Sequence, residues 1–381
     1  MTSAGGVSCP HCGHDTPAFD FCCRCGFPLA VEHGDVAGGP NRRQYAASPE
    51  EPAWGLRLTS TLFPQLPRTD MTAFRVALVS GLGLIVALGF AGLYPVALTA
   101  AAVLLPLLMV LYLYDVDVYE DEPLLVVGLT MLWGLLCGVA LGVALQHISL
   151  PVQRHGWSHL TEGAVVVRTF AVPIVTVVVA MLGPLVLLRH PRFNDVLDGV
   201  IFGVASAVTL TCSMMLIAAW PITEAGLQPN QDAAAWTQRL VEVGIFVPII
   251  AAGAVGWAAA ALWLRYRAPV ADRRALGGLG TPAPAGLVAL ILVVAAALVQ
   301  QIFGSLARFA ALAVLAAVAL TLVRRAIHVG LFDEADEAEP GPPVTCANCG
   351  RSTPLHTFCS RCGVALRALP KAPPTQPAPP S

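Results

Sequence analysis

Charge is scarce in this 381-residue chain. Asp, Glu, Lys and Arg make up 12% of it, against 56% hydrophobic residues and a mean hydropathy of +0.69. A soluble globular domain carries about 25% charged residues, so that class is excluded and an integral membrane protein is indicated. Lysine is nearly absent, Lys371 being the single one, which speaks of genome composition more than of mechanism. No run of basic residues interleaved with aromatics occurs, so no nucleic-acid partner is expected. The first apolar run begins only near residue 74, after a polar, cysteine-bearing segment, so no cleaved signal peptide is expected. The net charge of −2 says little about partners, because the charges are segregated along the chain.

A helix needs about 20 predominantly apolar residues to cross roughly 30 Å of hydrocarbon. Runs of that kind fall at 74–93, 95–114, 123–147, 164–188, 196–220, 239–264, 285–304 and 306–327. The expected fold class is therefore an all-α polytopic membrane protein with about eight spans, occupying residues 71–330. Arg189 and Arg192 follow the fourth run, Arg265, Arg267, Arg273 and Arg274 the sixth, and Arg324 and Arg325 close the eighth. Short arginine-rich loops stay in the cytoplasm. Both termini are thus expected on the cytoplasmic side of a bacterial-type plasma membrane, with membrane lipid as a partner. Trp157, Trp220 and Trp236 near the outer interface, and Trp263 and Tyr266 near the inner one, read as aromatic anchors.

Nine of the eleven cysteines lie at the two ends, and their pattern repeats. "CPHCGHDTPAFDFCCRCG" starts at Cys9 and "CANCGRSTPLHTFCSRCG" at Cys346, both reading C-x2-C-x9-C-x2-C. They also share Thr16-Pro17 with Thr353-Pro354, Phe21 with Phe358, Arg24 with Arg361, and glycines after the second and fourth cysteines. Two residues between thiolates let one tight turn present both sulfurs to a metal, and the glycine takes the positive φ that closes the turn. Cys9, Cys12, Cys22 and Cys25 are assigned to one structural zinc, and Cys346, Cys349, Cys359 and Cys362 to a second, each a closed tetrahedral site. Cytosolic placement disfavours the competing disulfide reading. Cys23 falls in a spacer position and is not a ligand, while His11 and His14 read as exposed loop residues. Zinc should supply the folding free energy of modules this small, about 10–16 kcal/mol in comparable peptides. Their expected role is docking, to a cytoplasmic protein partner or to each other.

The remaining organisation follows from composition. Residues 1–29 form the N-terminal ribbon, 30–70 a flexible linker, 331–344 an acidic linker, 345–366 the C-terminal ribbon and 367–381 a Pro-rich tail.

Three features of the core go together: the acidic turn "YLYDVDVYEDEPLLVVGLTMLWG" (Tyr112 to Gly134), the span "AVPIVTVVVAMLGPLVLLRH", and "PRFNDVLDGVIFGVASAV" opening the fifth span. In this order and spacing they resemble the PrsW family of intramembrane proteases, within the CAAX-processing-like superfamily, over about residues 75–265. The resemblance implies a Glu-Glu pair followed by Lys or Arg shortly after a proline. Anchored on Pro173, those positions are Thr176, Val177 and Ala180. It also implies a Glu-Asn pair in the next helix, where this chain has Met214 and Met215, and a histidine in a later helix, where 239–264 has none. Hydrolysis in a membrane requires a water activated by a metal or a general base, and these residues supply neither. The expected function is a pseudoprotease: a non-catalytic scaffold or regulator that presents two ribbons to the cytoplasm.

Two other readings stand beside it. An active intramembrane metalloprotease using displaced residues would rely on Asp195, Asp198 and His190. Against it, Asn194 after Pro191 reads as an N-cap, with acids in the first turn meeting the helix dipole. A transporter would need paired broken helices with charged centres, which the runs do not show. Thr176 could serve as a nucleophile only beside a base; otherwise its hydroxyl bonds the carbonyl of Val172 one turn back. Arg168 reads as snorkelling to the interface, and Cys137 and Cys212 as small packing residues.

Overall fold

The computed structural model describes residues 6–10, 15–24, 29, 72–116, 124–154, 163, 166–190, 192–193, 195–224, 233–267, 281–337, 340–346, 349–356, 358–363 and 366. They divide into a helical unit and a unit holding both cysteine modules.

The helices are α1 Thr72–Phe90, α2 Tyr94–Val116, α3 Leu124–Arg154, α4 Val172–Leu187, α5 Val196–Glu224, α6 Ala233–Val241, α7 Val247–Tyr266, α8 Pro282–Ile302 and α9 Ser305–Glu337. Among the described residues, seven segments are long and apolar enough to cross a membrane, α6 and α7 counting as one continuous span; in α1 the apolar stretch is the shorter Phe74–Phe90. The protein is accordingly an all-α polytopic membrane protein. One boundary differs from the expectation. The acidic segment after residue 331 does not begin as a linker but continues α9 to Glu337, since Ala, Glu and Leu favour helix and no Gly or Pro lies between Leu331 and Glu337.

Between α1 and α2 the chain reverses at Gly92, whose φ of 77° only glycine adopts without strain. The Leu93 amide donates to Leu88 O (2.9 Å) and the Gly92 amide to Gly89 O (3.1 Å), which closes α1 in a Schellman motif. Two spans share a second device. Val172-Pro173-Ile174 and Val247-Pro248-Ile249 are each preceded by a π turn, Val167–Ala171 and Glu242–Phe246. Proline has no amide for the carbonyl four residues back and its ring crowds that oxygen. The chain inserts one residue instead: the Val172 amide reaches Val167 O, and the Val247 amide reaches Glu242 O.

The core lies around α5 and the α6–α7 span, whose apolar stretches are 72% buried, against 17–33% for the other spans. Lipid tails are as apolar as leucine, so such helices associate through close packing of small residues. A Cβ on Gly203 would fall 2.9 Å from Gly256 Cα, and one on Gly253 2.8 Å from Ala319 O, bringing α5, α7 and α9 together. Val196, Val200, Trp257, Ala260, Leu264, Ala285 and Ala326 fill the meeting of α5, α7, α8 and α9. Arg267 at the end of α7 donates from Nε to Leu188 O (2.6 Å), capping the end of α4.

In the other unit, β1 Gly6–Ser8 pairs antiparallel with β2 Asp15–Pro17, and β3 Pro343–Thr345 with β4 Ser352–Pro354. The registers correspond residue for residue: Gly6 opposite Pro17 matches Pro343 opposite Pro354. The sequence duplication is thus a structural one.

Candidate functional site

In the C-terminal module, Cys346, Cys349, Cys359 and Cys362 bring their sulfurs within 4.8 Å of one another. Cys346 Sγ lies 3.8 Å from Cys362 Sγ, and Cys349 Sγ 3.9 Å from Cys359 Sγ. Disulfide bonds would need about 2.0 Å. Sulfurs at about 2.3 Å from one tetrahedral ion would stand about 3.8 Å apart, so the four fit a single metal. Both turns close as expected: Gly350 (φ 66°) donates to Cys346 O and Gly363 (φ 68°) to Cys359 O, each at 2.8 Å. The Arg361 amide points at Cys359 Sγ (3.4 Å). Hydrogen bonds from the Cys346 and then the Cys362 thiol hold Cys359 far below its ordinary thiol range, the thiolate character a metal requires. This is the one group of metal-ligating side chains found among the described residues.

In the N-terminal module Cys9 and Cys22 are buried, while Cys12, Cys25, His11 and His14 lie outside the described residues. Cys23 stands where its repeat has Ser360. Its amide and sulfur both face Thr16 Oγ1 at 3.4 Å, as the Ser360 amide and hydroxyl face Thr353 Oγ1 at 3.0 and 2.9 Å. Burial first of all pushes the Cys23 thiol up. It is a structural thiol standing in for a serine.

The two modules also bind each other, reciprocally. The Phe21 amide donates to Ser360 O (3.0 Å) and the Phe358 amide to Cys23 O (2.8 Å). Phe21 and Phe358 are repeat equivalents, as are Cys23 and Ser360, so the contact has a local twofold character. The Arg361 guanidinium lies over the Phe19 ring, 4.0 Å from its centroid. The repeat is legible in the sequence, whereas the choice between a separate partner and the other ribbon is not.

In the membrane core, Thr176, Val177, Ala180 and Met214 are all buried, and Met215 is half-buried. Thr176 Oγ1 donates to Val172 O (2.8 Å), and its other neighbour is Met214 Sδ at 3.9 Å. Positions from separate helices that the resemblance singled out therefore meet. Ala180 O accepts from Ser206 Oγ (2.8 Å). No carboxylate or imidazole stands at these positions.

Asp195 and Asp198 serve the helix start. Leu197 N donates to Asp195 Oδ1 (3.3 Å) and Asp195 N to Asp198 Oδ2 (3.0 Å), a reciprocal capping box. The N-cap role expected of Asn194, itself outside the described residues, is taken by Asp195 because α5 begins at Val196. His190 Nδ1 accepts from the Arg192 amide (3.3 Å), and its ring packs on Phe193.

Sequence reasoning missed a buried ion network. Glu242, with no exposure, opens the second π turn. It accepts from Arg239 Nη1 (3.1 Å), Arg308 Nε (2.7 Å) and Gln238 Nε2 (2.8 Å). The signal is there to be read: an acid three residues after an arginine, at the head of an apolar span, is a functional candidate by default.

Helices and clustered cysteines together define a polytopic α-helical membrane protein carrying a four-cysteine module able to hold a metal. No protein-family model matches the chain, and neither the curated proteins nor the solved structures contain a match.

Proposed function

We propose that this protein is a non-catalytic membrane scaffold or regulator. Its eight-span core follows the frame of a PrsW-type intramembrane protease without the Glu pair. Two zinc ribbons, one Zn2+ in each, stand on the cytoplasmic side for contact with a protein partner. The observation that carries the reading is Thr176, where the resemblance implies the first glutamate. Its proton goes to Val172 O and its remaining neighbour is a methionine sulfur, so neither a metal nor an activated water has a ligand there. The capping bonds of Asp195 and Asp198 support it, because an active protease built on them would have to give up the start of α5. The mutual hydrogen bonds of the ribbons support a single platform joined from both ends of the chain.

The test is protein-dependent cleavage in proteoliposomes containing a candidate membrane substrate. No cleavage above protein-free vesicles is expected. Cleavage that disappears on a point change in the core, Asp198→Asn above all, would overturn the reading. Metal content checks the other half: two zinc ions per full-length chain are expected, and both should vanish when each ribbon carries Cys→Ser changes.

A further inference from the structure

We propose that Arg239 and Arg308 form a binding site for the phosphate of an anionic phospholipid headgroup, with Glu242 as the residue that positions them. The charge count comes first. Two guanidinium groups share one carboxylate, and the other members, Gln238 and Gln300, are neutral. Among the described residues the cluster therefore carries one uncompensated positive charge. Both Glu242 oxygens are already occupied, Oε1 by Gln238 and Oε2 by the two arginines. Arg239 Nη2 is also engaged, by Gln300 Oε1 at 3.3 Å.

Arg308 is bound only through Nε. Its two terminal amino groups have no hydrogen-bonded partner among the described residues, and its side chain is 21% exposed; that of Arg239 is 41% exposed. Glu242 thus grips Arg308 by its inner edge and leaves the planar fork without a bonded partner among the described residues on a partly exposed side chain. That fork matches the bidentate geometry of phosphate oxygens. An uncompensated positive charge beside hydrocarbon is costly, and an anion there relieves it.

Position selects a lipid as the source of the phosphate. Arg308 lies in the first turn of α9, just beyond the turn that joins it to α8, and both helices are of membrane length. Ile302, Phe303 and Leu306 around that turn are all exposed. A cationic fork beside exposed apolar side chains at the end of two spans is placed for a headgroup phosphate with its acyl chains alongside.

The experiment uses the full chain in nanodiscs of phosphatidylcholine mixed with phosphatidylglycerol. Lipid retained on release is counted by native mass spectrometry. Selective retention of phosphatidylglycerol is expected. Arg308→Gln should lower it about fivefold, the weight of one arginine near an anionic surface, and Arg239→Gln should lower it independently if the first variant folds poorly. Glu242→Gln keeps one acceptor oxygen to hold the two arginines but removes the competing negative charge, so it should retain at least as much as the unmodified protein, which a purely structural ion lock does not predict. Retention equal to that of the unmodified protein in both arginine variants would overturn the proposal. So would displacement of the lipid by inorganic phosphate alone, since the site would then belong to the free anion.

Discussion

Replacing Gly138 by alanine tests how the membrane core is held together. Gly134, Gly138 and Gly142 line one face of α3 against α5. A methyl on Gly138 would press into Ser213 Oγ and Leu210 O and lie 2.9 Å from the Leu210 carbonyl carbon; on Gly142 it would lie 2.8 Å from Met214 O. Ordinary carbon–carbon contact begins at about 3.5 Å, so the helices must part by about 0.6 Å or more at Gly138. The obstacle is backbone of the facing helix and cannot rotate away. Opening the crossing also strains the bond from Ser213 Oγ to Leu135 O (3.2 Å) and the one from Gln146 Nε2 to Ile217 O. Overpacking of this kind costs about 1–3 kcal/mol. Gly128, on the same helix, has nothing within 4 Å of the place a methyl would take. Gly128→Ala should gain up to about 1 kcal/mol from helix propensity alone. Thermal unfolding of both variants in one detergent, followed by circular dichroism, should move in opposite directions. Equal shifts would refute the close-packing argument.

Other outcomes follow from the remaining contacts. Asp198→Ala removes half of the capping box and should cost about 1 kcal/mol in the same unfolding assay, with zinc per chain unchanged; a drop in zinc would restore Asp198 as a ligand. Cys359→Ser should abolish metal binding at the C-terminal module, read as one fewer ion per chain by mass spectrometry. The Cys359 thiol is held well below its ordinary value of 9.0 in the folded module. Its stabilising contribution is therefore complete above that value and declines as the pH falls, so metal release should increase on acidification and not on alkalinisation. Arg361→Ala takes the guanidinium off Phe19 and should cost the ribbon pairing about 0.5–1 kcal/mol, seen as faster proteolysis of the N-terminal segment while the C-terminal module keeps its metal.

The sequence by itself determined the class of the protein and placed seven of its eight expected spans on membrane-length helices, the first reaching only the shorter stretch Phe74–Phe90, because apolar run length and charge scarcity are one-dimensional properties set by bilayer thickness. It also determined the four-cysteine module, since C-x2-C knuckles are local turns whose glycines close them without tertiary help. The bond from Thr176 to Val172 was legible for the same reason, since it lies within one turn, whereas the contact of Cys23 with Thr16 came only from the structure. Other features depended on what stands opposite. Asp195 displaced Asn194 as the cap because the start of α5 was fixed elsewhere. The meeting of Thr176 with Met214 and the closure of Arg308 onto Glu242 join residues 38 and 66 positions apart, and the reciprocal grip of the ribbons joins opposite ends of the chain. No periodicity carries such pairings. They exist because small residues let these helices approach, and because a buried carboxylate must find its cations wherever the fold brings them.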